Sequence, residues 1–304
     1  MVDELRQKIK ELKTDRNAAI LAHNYQLPEV QNMADYVGDS LGLSRQAADA
    51  DEDIIVFCGV YFMAETASIL CPDKTVLIPD RQAGCPMVGM SPVEALQELK
   101  DQHPNAEVVT YVNSSAEMKA MSDYCCTSSN AVEVVESIPP GREIIFVPDQ
   151  YLGSYVQEQT GRDLVLYRGY CPTHGRILRE DILELKEEYP DAEVMVHPEC
   201  RPEVRAMADY VESTGGMCRR AAESEADDII VGTEIGLVYR LRKENPDKRF
   251  HLASEAAICP NMKQIDLEKI LWSLQDLDHE VSVSPDVRDR ALKAVNRMVE
   301  VAAA

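Results

Sequence analysis

The sequence has no GxGxxG, no GxxxxGK[ST] and no CxxC. A dinucleotide fingerprint, a phosphate-cradling P-loop and the usual paired-thiolate zinc spacing are therefore absent. Positive charge is scarce: 31 Lys and Arg stand against 53 Asp and Glu, a net charge of -22. That deficit argues against a nucleic-acid partner, which needs a basic face. It argues equally against anionic membrane surfaces. Long hydrophobic runs are missing too. The longest apolar stretch, residues 54–64, is far below the roughly 20 residues a membrane helix needs. Residues 1–13 read as a charged amphipathic helix without the apolar centre of a signal peptide. The expected location is the cytoplasm.

What the chain does have is 304 residues, 45% of them apolar, the balance of a globular protein with a real core. Its nine cysteines are an odd number in a chain too large to need disulfide staples. In a reducing compartment they serve as buried fillers, metal ligands or catalysts.

A threefold internal repeat organises the sequence. Three stretches, 18–41, 106–130 and 192–215, each read as a short apolar strand, a polar turn, a helix ending in Asp-Tyr, and then a hydroxyl residue. The markers Asp35, Asp123 and Asp209 lie 88 and 86 residues apart. Further β-branched runs at 54–57, 144–147 and 229–231 read as buried parallel strands. Helical segments such as 62–70 and 236–243 follow, then third strands at 75–78, 164–167 and 250–253. Alternating strands and helices imply right-handed crossovers and parallel sheets covered on both faces. The expected fold is α/β: three pseudo-threefold-related α/β/α domains around a shared centre. Their expected extents are 1–104 with the N-terminal helix, 105–190, and 191–304 with the C-terminal helix. Ser284-Pro285 predicts the cap and first residue of that last helix, with Leu292, Val295 and Val299 on its apolar face. The two terminal helices are expected to pack together on the third unit.

Cys85, Cys171 and Cys259 recur at the same period, 86 and 88 residues apart, and each precedes a proline. Composition alone gives about half of one Cys-Pro pair, yet there are four; the fourth, Cys71-Pro72, has no counterpart one period on. Each periodic cysteine follows the third strand of its unit. In open α/β sheets, function gathers beyond the carboxyl ends of the strands. Three thiolates converging there, with no matching histidine in the repeat, suit an iron–sulfur cluster with one iron left open. That iron would be a Lewis acid. Three buried structural cysteines and a three-thiolate zinc site are the alternatives. Cys58, Cys71, Cys125, Cys126, Cys200 and Cys218 read as ordinary residues.

Aligned on the Asp markers, His23, Tyr111 and His197 are equivalent, and so are Tyr25, Asn113 and Glu199 two residues on. All six are placed at first-strand termini facing the shared centre. Imidazole, phenol and carboxylate supply acid–base groups for chemistry near neutral pH. Ser40, Ser128 and Thr214 follow each marker by five residues and read as helix N-caps. Such helix ends are also anion sites. Ser213 adds to the third of them, and His174, three residues after Cys171, is within reach of the same centre. His103, His251 and His279 have no repeat counterpart of similar type.

These residues resemble a known family. AHNYQLPEVQNMADYVGDSLGLSR (22–45), YVNSSAEMKAMSDYCCTSSNA (111–131), GYCPTHGR (169–176), HPEC (197–200) and CPNMK (259–263) are similar to quinolinate synthase motifs. The likeness spans about residues 18–265. It implies condensation of iminoaspartate with dihydroxyacetone phosphate to quinolinate, phosphate and water in NAD biosynthesis. It also implies a pseudo-threefold triangle around one [4Fe-4S] cluster per chain, held at Cys85, Cys171 and Cys259. Ligand-binding positions carry over to His23, Ser40, Tyr111, Val112, Asn113, Ser128, His197, Pro198, Glu199 and Thr214. Tyr25 and Glu199 match the proton-transfer positions, joined by His23 and His197. The enzyme that supplies iminoaspartate is a further expected partner. Where some members carry a CxxCxxC run, this chain has Cys259 alone. Two other readings remain: a non-catalytic iron–sulfur sensor, and a hydro-lyase acting on a small hydroxy acid.

Overall fold

The computed structural model describes residues 2–301; Met1 and residues 302–304, at the outer edges of the expected first and third units, lie outside the described residues. Its strands form three four-stranded sheets. The first contains β1 (Ala18–His23), β2 (Tyr36–Gly38), β3 (Ile54–Cys58) and β4 (Thr75–Leu77), in the order β2-β1-β3-β4. The second contains β5 (Glu107–Tyr111), β6 (Tyr124–Cys126), β7 (Ile144–Val147) and β8 (Val165–Leu166), ordered β6-β5-β7-β8. The third contains β9 (Glu193–Val196), β10 (Tyr210–Val211), β11 (Asp228–Gly232) and β12 (Arg249–Leu252), ordered β10-β9-β11-β12. Every pairing within these sheets is parallel.

Alternation along the central strands shows why both sheet faces are covered. In β7, Ile144 and Phe146 enter the main core while Ile145 and Val147 enter a separate cluster with Leu96 and Met118. In β9, Met195 faces the main core, and Val194 and Val196 face a cluster with Ile182. Successive side chains leave a strand on opposite faces, so an unbroken apolar run requires two apolar partners. Helices supply both.

Each sheet has one strand more than the sequence pattern predicts. The short edge strands β2, β6 and β10 start one residue after the Asp markers. The helices before them, Pro28–Gln31, Ala116–Ala120 and Pro202–Arg205, end before the marker and not at it. The markers have their own task. The Asp35, Asp123 and Asp209 carboxylates accept the backbone N–H of Ile20, Val108 and Val194, each at 2.8 Å. Their own N–H groups donate back to the same three residues' carbonyls, at 2.8, 3.0 and 3.0 Å. Each marker clamps an edge strand onto its central neighbour.

The terminal helices do not share the third unit. The N-terminal helix, Val2–Asp15, lies against Leu267–Asp276 and β1. The C-terminal helix, Pro285–Glu300, lies against Ala116–Ala120, β6 and Tyr61–Leu70, across the first and second sheets. Its apolar face, Ala291, Ala294, Val295 and Met298, is buried there. Asn130 Nδ2 donates to the Met298 carbonyl at 2.8 Å and Arg45 to that of Val299 at 2.9 Å. Pro285 is its first residue, as expected, but Ser284 makes no side-chain capping bond.

Candidate active site

The carboxyl ends of all three sheets open on one cavity of about 170 Å³. His23, Tyr25, Ser40, Tyr111, Asn113, Ser128, His174, His197, Glu199 and Thr214 line it, together with Cys85, Cys171 and Cys259. Val112, Pro198 and Ser213 do not. Val112 is buried in the main core with its N–H donated to the Cys126 carbonyl. Pro198 is buried between the two lining residues His197 and Glu199. Ser213 is spent as a helix cap.

That cap corrects a further expectation. Ser40 and Thr214 are the first residues of helices Ser40–Asp49 and Thr214–Glu223, not their N-caps. The caps are one residue earlier: Asp39 accepts from Gly42 N–H at 2.8 Å and Ser213 from Gly216 N–H at 3.1 Å. Because the preceding residue satisfies the helix amides, the Ser40 and Thr214 hydroxyls are released toward the cavity. Ser128 is earlier still, two residues before Asn130, which precedes helix Ala131–Ser137.

His23 ends β1, while Tyr25, Asn113, His197 and Glu199 sit just beyond the strand ends they were expected to terminate. His23 Nδ1 accepts the Tyr25 N–H at 3.2 Å, which leaves the ring hydrogen on Nε2. Burial outweighs the neighbouring charges and lowers its pKa to about 4, so His23 is neutral at neutral pH. Burial likewise lowers His197 to about 3, with His174 adding to the effect. His197 Nε2 is 3.2 Å from Ser128 Oγ.

A buried network joins the first copy to the third through a loop of the second. Glu199 Oε2 is 2.8 Å from His174 Nδ1 and 3.3 Å from His197 Nδ1. Burial pushes the Glu199 carboxyl up, but His174, His197 and a hydrogen bond from Tyr111 bring it below its ordinary value. A carboxylate only accepts, so His174 Nδ1 donates, and its Nε2 faces the other way. There it meets Thr233 Oγ1 at 2.9 Å and the Tyr25 hydroxyl at 3.3 Å. Tyr25 and Thr233 are 2.6 Å apart. Burial, reinforced by the Glu199 charge, raises the Tyr25 phenol well above its usual range. Glu199 Oε1 and Asn113 Oδ1 have no hydrogen-bond partner among the described residues. Both residues line the cavity, so these are two acceptors left for a ligand.

Of the nine free cysteines, the six non-periodic ones are buried and only Cys85, Cys171 and Cys259 are part-exposed. Burial nevertheless raises all three thiols, Cys85 to about 12. Cys171 Sγ is 3.2 Å from His174 Nδ1. Cys171, His174 and Glu199 offer ligand atoms within 4.8 Å of one another.

Three participants escaped the sequence pattern. Thr233 follows β11 and Asp149 follows β7; the carboxyl ends of these second central strands were the available signal. Asp149 is fully buried and caps helix Gln150–Thr160 through the Tyr151 and Leu152 amides. Glu234, also fully buried, accepts the Cys259 N–H at 3.0 Å and pairs with Lys263 at 2.9 Å. It is the repeat equivalent of Asp149, each lying five residues after the equivalent positions Ile144 and Ile229.

A triplicated α/β enzyme fold with one thiol and one set of acid–base groups from each copy narrows the class. The family model for quinolinate synthetase A protein matches residues 7–300. Quinolinate synthase of Dehalococcoides mccartyi (strain CBDB1) is 57% identical over 294 residues, 97% of each chain. Those of Geotalea uraniireducens and Methanosarcina barkeri are 55% and 54% identical over 299 and 298 residues, 98% of each chain. The chain belongs to the quinolinate synthetase A family. No helix among its described residues is long and apolar enough to cross a membrane.

Proposed function

We propose that this chain condenses iminoaspartate with dihydroxyacetone phosphate to give quinolinate, phosphate and water, in the cytoplasm. The observation that carries this is the meeting of three periodic thiols with the Glu199–His174–Tyr25 network in one cavity. We assign the three units to 1–104, 105–190 and 191–304, with the C-terminal helix returning to the first two.

The donor set fits a [4Fe-4S] cluster. Three thiols from three units share the cavity, and burial makes each thiolate costly without a cation. Metal coordination removes that cost, since a bound thiol is deprotonated outright. Cys85, Cys171 and Cys259 would hold the cluster, which when bound supplies an open iron as a Lewis acid. The chain's own residues do the rest. His23 Nε2–H and the Ser40, Ser128 and Thr214 hydroxyls hold carboxylate and phosphate oxygens. Glu199, kept ionised, takes a proton from the condensing substrates; Tyr25, kept protonated, gives one to a leaving oxygen. His174 lies between them, its Nδ1–H held by the Glu199 carboxylate and its Nε2 facing the Tyr25 hydroxyl.

Anaerobic turnover tests the reading. Reconstituted protein given iminoaspartate and the triose phosphate should release quinolinate. Dehydration of a small hydroxy acid instead, or cluster loading with no turnover of either, would select the hydro-lyase or the sensor.

A further inference from the structure

Asn24 stands between two residues that the mechanism uses, His23 and Tyr25, yet its side chain points away from both and across to the third unit. It is fully buried, and all four of its polar groups are engaged. Its N–H donates to the Gly38 carbonyl at 3.0 Å, and its carbonyl accepts from Gln31 Nε2 at 3.1 Å. Its Oδ1 accepts from Arg240 at 2.8 Å. Its Nδ2 donates to Thr214 Oγ1 at 2.9 Å.

The direction of these bonds is forced. A guanidinium has only donors, so the amide atom facing Arg240 must be the oxygen. The amide nitrogen is then the atom facing Thr214, and an NH₂ group can only donate. Arg240 is itself held in place, donating also to the Val37 carbonyl at 2.9 Å and to Glu244 at 2.7 Å. The Thr214 oxygen therefore accepts from inside the protein, and its hydrogen has to be used elsewhere. Thr214 is 2% exposed and lines the cavity, and no protein acceptor takes that hydrogen among the described residues.

We propose that Asn24, oriented by Arg240, is a positioning residue that sets the Thr214 hydroxyl as a hydrogen-bond donor to an anionic oxygen of the ligand. The reading rests on the proposed function, which places carboxylate or phosphate groups in this cavity. It makes a bond across the first and third units decide which way a hydroxyl of the binding site points.

The test is binding of quinolinate to the cluster-loaded protein, by equilibrium dialysis under nitrogen. In Asn24→Asp the carboxylate would accept from both Arg240 and Thr214. The hydroxyl hydrogen would turn inward and present only lone pairs to the anion. Affinity should fall about tenfold or more, the scale of a lost hydrogen bond to a charged group. Thr214→Val should fall by a similar factor, and Thr214→Ser should stay within about twofold of the parent. The double variant separates orientation from added charge. If Asn24→Asp acts through the hydroxyl, it does nothing further in the Thr214→Val background. A further tenfold loss there would show simple repulsion and overturn the proposal. So would Asn24→Asp binding like the parent while Thr214→Val binds weakly. Arg240→Met covers the case in which Asn24→Asp fails to fold: a freed amide can turn over, and affinity should drop severalfold only when Thr214 is present. An equal drop with Thr214→Val already in place would overturn the proposal as well. A parent protein that binds no quinolinate at all is a different pattern, and it sinks the proposed function.

Discussion

The three copies are alike at one end of their sheets and unlike at the other. At the amino end, Asp35, Asp123 and Asp209 hold the same backbone partner at the same 2.8 Å. At the carboxyl end, one position holds His23, Tyr111 and His197, and another holds Tyr25, Asn113 and Glu199. The first end solves a problem every sheet shares, attaching a strand of two or three residues to its neighbour. The second end faces a ligand that has no threefold symmetry, so three identical groups would be of little use to it. Two sets are exceptions at that end: the hydroxyls of Ser40, Ser128 and Thr214, and the thiols, which the proposed cluster, with its nearly equivalent corners, would require to be alike.

The comparison breaks most visibly at the thiols. Cys85→Ser, Cys171→Ser and Cys259→Ser should each abolish or cripple cluster assembly. Serine at Cys58, Cys71, Cys125, Cys126, Cys200 or Cys218 should leave iron near the roughly four atoms per chain of one cubane. Anaerobic iron and sulfide analysis decides it, and full loading in any periodic variant would contradict the assignment. Next come the unlike residues. Tyr25→Phe and Glu199→Gln should retain the cluster and slow turnover at least about 100-fold. Near-normal rates in both would take them out of the mechanism.

The alike residues should behave as a set. Asp35→Ala, Asp123→Ala and Asp209→Ala each remove a charge-assisted bond to a backbone amide, at about 1–3 kcal/mol. Once the additional ion pair of Asp35 with Lys13 is removed by Lys13→Met, each should lower the denaturation midpoint by a similar amount while turnover per folded molecule holds. Widely different costs would mean that the clamps are not equivalent. The smallest effect concerns His23. Its folded pKa of about 4 lies below the ordinary 6.5, so the unfolded chain takes the proton first as pH falls. Its contribution to stability is full above about 6.5 and drains away between there and about 4. In His23→Gln the denaturation midpoint should depend less steeply on pH across that window; an unchanged slope would show that the ring is not held neutral.

Much of this arrangement was legible in the residues. The period between Asp markers reported the triplication because each copy must clamp its own edge strand, although the helical reading of the marker missed what the carboxylate does. The Cys-Pro period identified the three cavity thiols for a similar reason, one loop geometry used three times. Illegible were the edge strands, too short to show alternation, and the caps at Asp39 and Ser213, displaced by one residue from the hydroxyls that share their spacing. Thr233 stayed hidden because its partners come to it only in three dimensions, whereas Asp149 and Glu234 share a repeat position that was overlooked because the first copy has Val60 there. The C-terminal helix was misplaced because an amphipathic pattern states that a face must be covered and says nothing of what covers it.

That helix has a consequence for the order of events at the ribosome. It covers Ala116–Ala120, β6 and Tyr61–Leu70, all finished long before it is made. More than a hundred residues separate Asn130 from its partner Met298. At the usual 5–20 residues per second, the first two units wait on the order of 10 s with an apolar groove bare. The nascent chain thus carries this uncovered apolar surface through much of its synthesis. Only when the last helix emerges and docks does the groove close, so the third unit, though made last of the three, still precedes the completion of the first.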